Sequence, residues 1–208
     1  MKRFSKSLLM LAATFCLLGF ASQSAKADLV TFNTTGAFSN GSNAITFGSG
    51  ANTTTLTFVG STGNTVNTPS FSNFGDIITT STGTGAAVSG GFTLTFTVTS
   101  PLPGGSDTAN GTLSGNLAPN QSSATLFFFD PTATVGGFTF TILQPTQGIV
   151  LVPQTTGMGG NANPGTTTIQ GNVTGSAIPE PATMILLGTG LAGIAAKVRR
   201  RRNQNTEA

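Results

Sequence analysis

The stretch Phe92-Thr93-Leu94-Thr95-Phe96-Thr97-Val98 alternates apolar residues and threonine without a break. Because successive side chains of a β-strand point to opposite faces, all its apolar side chains share one face and all its threonines share the other. A period of two predicts a strand with one face in a core and the other in water. The stretch therefore favours a β-sheet protein.

Shorter runs with the same alternation lie on both sides of this stretch, whereas residues 28–174 show no convincing helical periodicity. The clearest runs cover residues 29–32, 53–59, 91–99, 124–129, 138–143 and 149–152. The segments between the runs contain turn-forming residues. These are Asn40-Gly41, Gly104-Gly105, Asn110-Gly111, Gly136-Gly137 and residues 73–76.

Strands at this spacing predict one all-β domain over residues 28–153, an antiparallel, jelly-roll-like β-sandwich with about six to ten strands. A threonine-lined β-solenoid is the alternative fold, although the sequence lacks a strict repeat period. All 16 aromatic residues are phenylalanine, and their positions in the runs predict that they form the core. Residues 154–177 are rich in Gly, Asn and Thr and are predicted to be a flexible linker.

Basic residues occur only near the two ends of the chain, and none lies between Ala27 and Lys197. The sequence pI of about 9.6 therefore describes the ends rather than the domain. Residues 28–177 carry four charged residues, which are Asp28, Asp76, Asp107 and Asp130. Binding to nucleic acid requires several Lys or Arg side chains to neutralise phosphates, so nucleic-acid partners are excluded.

The residue types that most catalytic sites require are missing from this domain. The chain has no His, and Cys16, near the amino terminus, is its only Cys. Four scattered Asp residues form no nucleophile–base pair, no carboxylate dyad and no dense set of oxygen ligands for calcium. We therefore predict no catalytic, cofactor-binding or metal site and no enzymatic activity, with the Asp residues capping turns instead.

The first 27 residues have the three parts of a secretory signal peptide. Lys2, Arg3 and Lys6 form a basic start, and an apolar run covers residues 8–20. Ala25 and Ala27 then form a small-x-small cleavage site. We expect signal peptidase to cut after Ala27, so that the exported chain starts at Asp28.

Residues 178–208 form a second tripartite segment. Pro179-Glu180-Pro181 is followed by an apolar run over residues 182–196 and by a basic cluster of Lys197, Arg199, Arg200, Arg201 and Arg202. As a helix the run would be about 22 Å long, which makes a short transmembrane helix. Because basic clusters stay in the cytoplasm, this topology leaves Pro179-Glu180-Pro181 just outside the inner membrane.

The order of proline motif, apolar run and arginine cluster resembles the tails of the PEP-CTERM family. The resemblance implies that exosortase, a membrane sorting enzyme of Gram-negative bacteria that make exopolysaccharide, recognises Pro179, Glu180 and Pro181 and cuts the tail. It also implies a transient inner-membrane intermediate before the cell surface or the extracellular space. An ordinary C-terminal membrane anchor is the alternative.

These features suggest a non-enzymatic surface or matrix protein that is associated with exopolysaccharide or biofilm. Self-association is a further hypothesis, because threonine-rich strand edges without lysine can pair with neighbouring chains. A carbohydrate-binding adhesin and a threonine array that binds ice or a polymer are the alternatives. The adhesin is disfavoured because the chain has no Trp and no Tyr.

Overall fold

The structure is a computed structural model that describes residues 28–101, 104–156 and 161–175, together with residue 188. The chain divides into two compact units, residues 1–176 and residues 177–208, and the strands of the described residues lie in the first. The strands are β1 (Leu29–Phe38), β2 (Ala44–Ser49), β3 (Asn52–Gly60), β4 (Asn64–Asn67), β5 (Ser70–Ser81), β6 (Ala86–Ser100), β7 (Gly105–Ala118), β8 (Gln121–Ser122), β9 (Thr125–Asp130), β10 (Thr132–Val135), β11 (Phe138–Ile142), β12 (Ile149–Val150), β13 (Thr155–Thr156), β14 (Ala162–Asn163) and β15 (Gly165–Gly175). The predicted all-β class is confirmed.

The strands form two large sheets. The first sheet has the order β12-β9-β7-β6-β1-β4, with β8 paired to β7, and the second has the order β10-β11-β15-β5-β3-β2. Strands β13 and β14 form a separate pair. Every pairing in the described part of the chain is antiparallel. The solenoid alternative is wrong, because solenoid coils stack through parallel strands.

The alternating stretch at residues 92–98 belongs to β6, which pairs with β1 on one side and β7 on the other. Phe92 and Leu94 are buried, as are Phe96 and Val98, while the threonines between them are half-buried. The prediction for this strand is confirmed. Both edges of β6 are paired with other strands, so its side chains can point only to the core face or to the water face. This explains the regular alternation.

Phenylalanine rings join the two sheets. Phe96 of the first sheet stacks on Phe140 of the second with ring centroids 4.7 Å apart. Phe74 meets Phe96 edge-on at 4.9 Å, and Phe32 meets Phe140 at the same distance. The sheets therefore share one core. Long connections place β1 beside β6 and β15 beside β5, an arrangement compatible with the predicted jelly-roll-like sandwich.

The prediction of a flexible linker over residues 154–177 is wrong for residues 165–175. These residues form β15, which lies between β11 and β5 inside the second sheet. Ile169 and Val173 are fully buried. Two other inward positions are Thr167, whose hydroxyl accepts the N–H of Val152 at 2.7 Å, and Gly171, which packs under the Phe74 ring. The sequence of this strand resembles a linker because small or polar residues, Gly165, Thr167 and Gly171, fill three of its five inward positions.

Gly171 tests how tightly β15 is packed. A Cβ atom at this position would lie well inside contact distance of the Phe74 ring and of the carbonyl oxygen of Thr141. We expect Gly171→Ala to lower the free energy of unfolding by about 2–3 kcal/mol, because overpacking displaces a ring and a strand. Gly91→Ala is the control, because a Cβ there meets nothing within 4 Å. Equal urea midpoints for the two variants would contradict the packing.

The predicted turns divide into two groups. Asn40-Gly41, Gly104-Gly105 and Gly136-Gly137 lie at connections between consecutive strands, as expected. Asn110-Gly111 instead lies inside β7, and residues 73–76 lie inside β5, so these two predictions are wrong. Both sites carry a register shift typical of a β-bulge, against β9 and β15 respectively. Asn and Gly favour bulges for the same backbone reason that they favour turns.

Two glutamine side chains act as short substitutes for a neighbouring strand. The Gln154 amide accepts the N–H of Ser81 and donates to its carbonyl oxygen, both at 3.0 Å, where β5 extends beyond β15. Gln144 does the same for Phe128, at 2.8 and 2.6 Å. Each side chain thus satisfies a backbone donor and a backbone acceptor at a sheet edge.

The buried Gln154 is expected to be the more important of the two. Gln154→Ala leaves the N–H and C=O of Ser81 unpaired, which lowers the free energy of unfolding by about 2–3 kcal/mol. Gln170→Ala is the control, since Gln170 is exposed on β15 and is expected to change stability by less than about 0.5 kcal/mol. Chemical denaturation measures both, and a neutral Gln154 variant would show that water replaces the amide.

Candidate functional site

One carboxylate of the β domain links its two sheets. The Asp107 carboxylate accepts the N–H of Thr108 at 2.8 Å and that of Thr134 at 2.7 Å, which ties β7 of the first sheet to β10 of the second. In the residues that the structure describes, no group of three or more His, Cys, Asp or Glu side chains lies close enough to hold a metal ion. The Asp107 side chain therefore links the two sheets through hydrogen bonds.

Hydroxyl groups line the outward faces of both sheets in rows across the strands. Thr35, Thr95 and Thr108 stand in register on β1, β6 and β7 of the first sheet. Thr46 and Thr55 stand in register on the second sheet, with their hydroxyl oxygens 2.8 Å apart. We call these sets the hydroxyl rows. Neighbouring strands lie about 4.8 Å apart, so each row presents hydroxyls at a regular interval.

Among the residues that the structure describes, three phenylalanines are exposed, which corrects the prediction that these rings form only core. Phe71 is 72% exposed, Phe129 62% and Phe127 39%. Phe127 and Phe129 share the outward face of β9, close to the exposed Val150 of β12. The sequence contained a signal for this, because side chains of the run Phe127-Phe128-Phe129 must alternate between the two faces of a strand.

The two ends of the β domain meet. The carbonyl oxygen of Asp28 accepts hydrogen bonds from the backbone N–H of Thr68 at 3.0 Å and from its hydroxyl at 3.1 Å. A Cβ atom on Gly175, the last residue of β15, would lie 2.8 Å from the Thr68 hydroxyl and 3.6 Å from Oδ2 of Asp28. Thr68 thus lies between the first residue after the predicted signal cleavage and the end of the last strand.

The predicted sorting and cleavage residues lie beyond the described ranges. Ala25 and Ala27 precede them, as does the whole predicted signal peptide over residues 1–27. The predicted helix over residues 182–196 and the predicted sorting residues follow β15. These sorting residues are Pro179, Glu180, Pro181, Lys197, Arg199, Arg200, Arg201 and Arg202. Three residues separate Gly175 from Pro179, so the motif begins almost directly after the last strand.

Residues 177–202 match the family model of the PEP-CTERM protein-sorting motif. The chain carries a PEP-CTERM sorting motif. The resemblance stated from the sequence is confirmed, with the match covering the proline motif, the apolar run and the arginine cluster. A PEP-CTERM motif implies an exosortase-type partner, export from the cytoplasm and a destination at the cell surface or outside the cell.

No curated protein and no solved structure matches the chain. Within the described ranges, no helix has both the length and the apolar character needed to cross a membrane. The PEP-CTERM motif therefore indicates where the protein goes, whereas the activity of the β domain has to be inferred from its surface.

Proposed function

We propose that the protein is a non-enzymatic component of the extracellular matrix that exosortase releases by cutting its PEP-CTERM tail and that then binds exopolysaccharide. The observation that carries this proposal is the combination of the sorting motif with the hydroxyl rows on both outward faces. A sheet face that offers hydroxyls at regular spacing suits a polymer that itself presents hydroxyls at regular spacing.

The charge of the domain limits which class of exopolysaccharide it can bind. Residues 28–177 carry four Asp and no Lys, Arg or His. An acidic polysaccharide would therefore be repelled at low ionic strength, whereas a neutral one would not. The proposed ligand is a neutral exopolysaccharide that binds through many weak hydroxyl contacts.

The proposal that the protein has no enzymatic activity is supported by the surroundings of Asp107. Its carboxylate already accepts two backbone hydrogen bonds. Catalysis by a lone carboxylate would require a partner that shifts its pKa or shares a proton. Assay of the secreted protein for glycoside hydrolysis of the exopolysaccharide is expected to show no release of reducing sugar.

The binding proposal is tested with processed protein isolated from the culture medium. We expect it to co-sediment with a neutral exopolysaccharide and not with an acidic one of similar length at low salt. Thr95→Lys combined with Thr108→Lys is expected to abolish the preference, because two cations would then lie in one hydroxyl row. Failure to sediment with either polymer would refute matrix binding. Saturable selectivity for one short sugar would favour the adhesin instead.

Self-association is a second candidate function, which the exposed Phe127, Phe129 and Val150 favour. Apolar side chains grouped on one face often mark a contact between proteins. The sedimentation coefficient of the processed protein is expected to rise with concentration, and Phe129→Ser is expected to reduce that rise. A monomer at all concentrations would exclude this function and leave polysaccharide binding untouched.

A further inference from the structure

At the end of the β domain where the chain enters and leaves, the surface carries one exposed apolar side chain on the outward face of each sheet. Leu29, the residue after Asp28, is 55% exposed and stands opposite Asn67 on the outward face of the first sheet. Phe71 is 72% exposed and stands opposite Asn172, three positions before the end of β15, on the outward face of the second sheet. We call this surface, formed by Asp28, Leu29, Thr68, Phe71 and Gly175, the junction end.

If the apolar run of the tail enters the membrane, as the proposed function requires, chain length limits how far the junction end can be from it before the tail is cut. An extended chain spans at most about 3.6 Å per residue, so Pro179 lies within about 15 Å of Gly175, and Ala182, where the apolar run starts, within about 25 Å. A bilayer with its headgroup layers is about 15 Å thicker than its hydrocarbon core, so each headgroup layer takes up about 7 Å of that distance. The tail therefore cannot hold the domain far from the lipid.

Exposed Phe and Leu side chains are suited to the boundary between headgroups and acyl chains, where apolar side chains leave water. The one cation that the exported chain offers at the junction end is the α-amino group of Asp28 left by the predicted cleavage, next to the Asp28 carboxylate, because residues 28–177 contain no Lys, Arg or His. The contact of the junction end with lipid would then depend on apolar burial and not on ionic strength. Phe127 and Phe129 do not share this position, since Phe127 pairs with Thr112 and Thr112 with Gly91, towards the other end of β6.

We propose that the junction end rests on the outer lipid surface of the membrane while the PEP-CTERM tail is still attached, with Leu29 and Phe71 in contact with lipid. The contact presents Pro179-Glu180-Pro181 at the depth of a membrane-embedded enzyme and orients the opposite end of the domain away from the cell. The inference concerns the uncut chain and is independent of what the processed domain binds.

The test uses the exported chain with its tail uncut, residues 28–208, in vesicles of phosphatidylcholine alone. Cys16 lies in the predicted signal peptide, so this chain has no Cys and a single probe can be attached at an introduced one. Asn67→Cys places a fluorophore opposite Leu29 at the junction end, and Ser114→Cys places it on the same sheet near Phe127. Both positions are exposed, and neither side chain makes a hydrogen bond in the described part of the chain.

We expect a water-soluble quencher to reach the probe at position 67 about tenfold more slowly than the probe at position 114. Adding Leu29→Ser and Phe71→Ser is expected to bring position 67 to within about twofold of position 114. Circular dichroism checks that these surface variants stay folded. Equal quenching at both positions of the unsubstituted chain overturns the proposal. So does equal shielding at both positions, or failure of the chain to float with the vesicles.

Discussion

Alanine substitution of Pro179, Glu180 and Pro181 is expected to abolish processing of the tail. The two prolines fix their own φ angles and keep the residues before them extended, and an extended strip with one carboxylate is what a peptidase cleft can accept. Mass spectrometry of the protein termini is expected to find the tail removed in the unsubstituted protein and Arg202 still present in the variant. The variant should also remain in the membrane fraction and be missing from the medium.

The control for this experiment is Pro164→Ala, since Pro164 is an exposed proline between β14 and β15 and lies outside the motif. Its processing is expected to be normal. A strain without the sorting enzyme should accumulate the same uncut species as the motif variant. If Arg202 persists in every strain, the tail is an ordinary anchor and not a removable one.

Phe74→Ala is expected to produce the largest loss of stability that one substitution causes in this domain, about 3–5 kcal/mol. Phe74 is fully buried, and its ring meets Phe32 at 6.0 Å, Phe96 at 4.9 Å and Phe140 at 6.1 Å. The substitution removes a ring that contacts both sheets and leaves a cavity between them. Urea denaturation followed by far-ultraviolet circular dichroism measures the loss.

Phe71→Ala is the matched control, because Phe71 lies on the same strand, three residues away, with its ring in solvent. We expect it to change the free energy of unfolding by less than about 0.5 kcal/mol. The pair separates the contribution of a buried ring from the β-propensity of phenylalanine, which both variants lose. Similar losses at the two positions would mean that the sheets are not joined through Phe74.

The sequence was informative where a strand divides its side chains cleanly between core and water. In β6 every second residue is large and apolar, so the period of two is visible without knowledge of its neighbours. The C-terminal sorting motif was also predictable, because the order of proline motif, apolar run and basic cluster does not depend on tertiary structure. The match at residues 177–202 confirms the sorting motif.

The sequence was misleading where a large side chain from another strand fills the space. Gly171 and Thr167 of β15 are inward-facing residues, but only the Phe74 ring and the Val152 N–H show why they suit a core. Asn110-Gly111 was ambiguous for a similar reason, since a bulge and a turn require the same residue types. The Phe127 and Phe129 side chains face outward because Phe128 faces inward. Which of the two faces is buried depends on how β9 pairs with β7, and the sequence alone does not give this.

The position of β15 also constrains the order of events during export. This strand is the last to leave the ribosome, yet it fills the gap between β11 and β5, where Val173 pairs with Ser70 from the first half of the domain. Pairing between such distant segments is slow, because the intervening chain must be ordered first. The second sheet therefore cannot close before β15 has been delivered. In the proposed export pathway the sorting motif follows Gly175 closely, so it reaches the membrane before this slow pairing is complete.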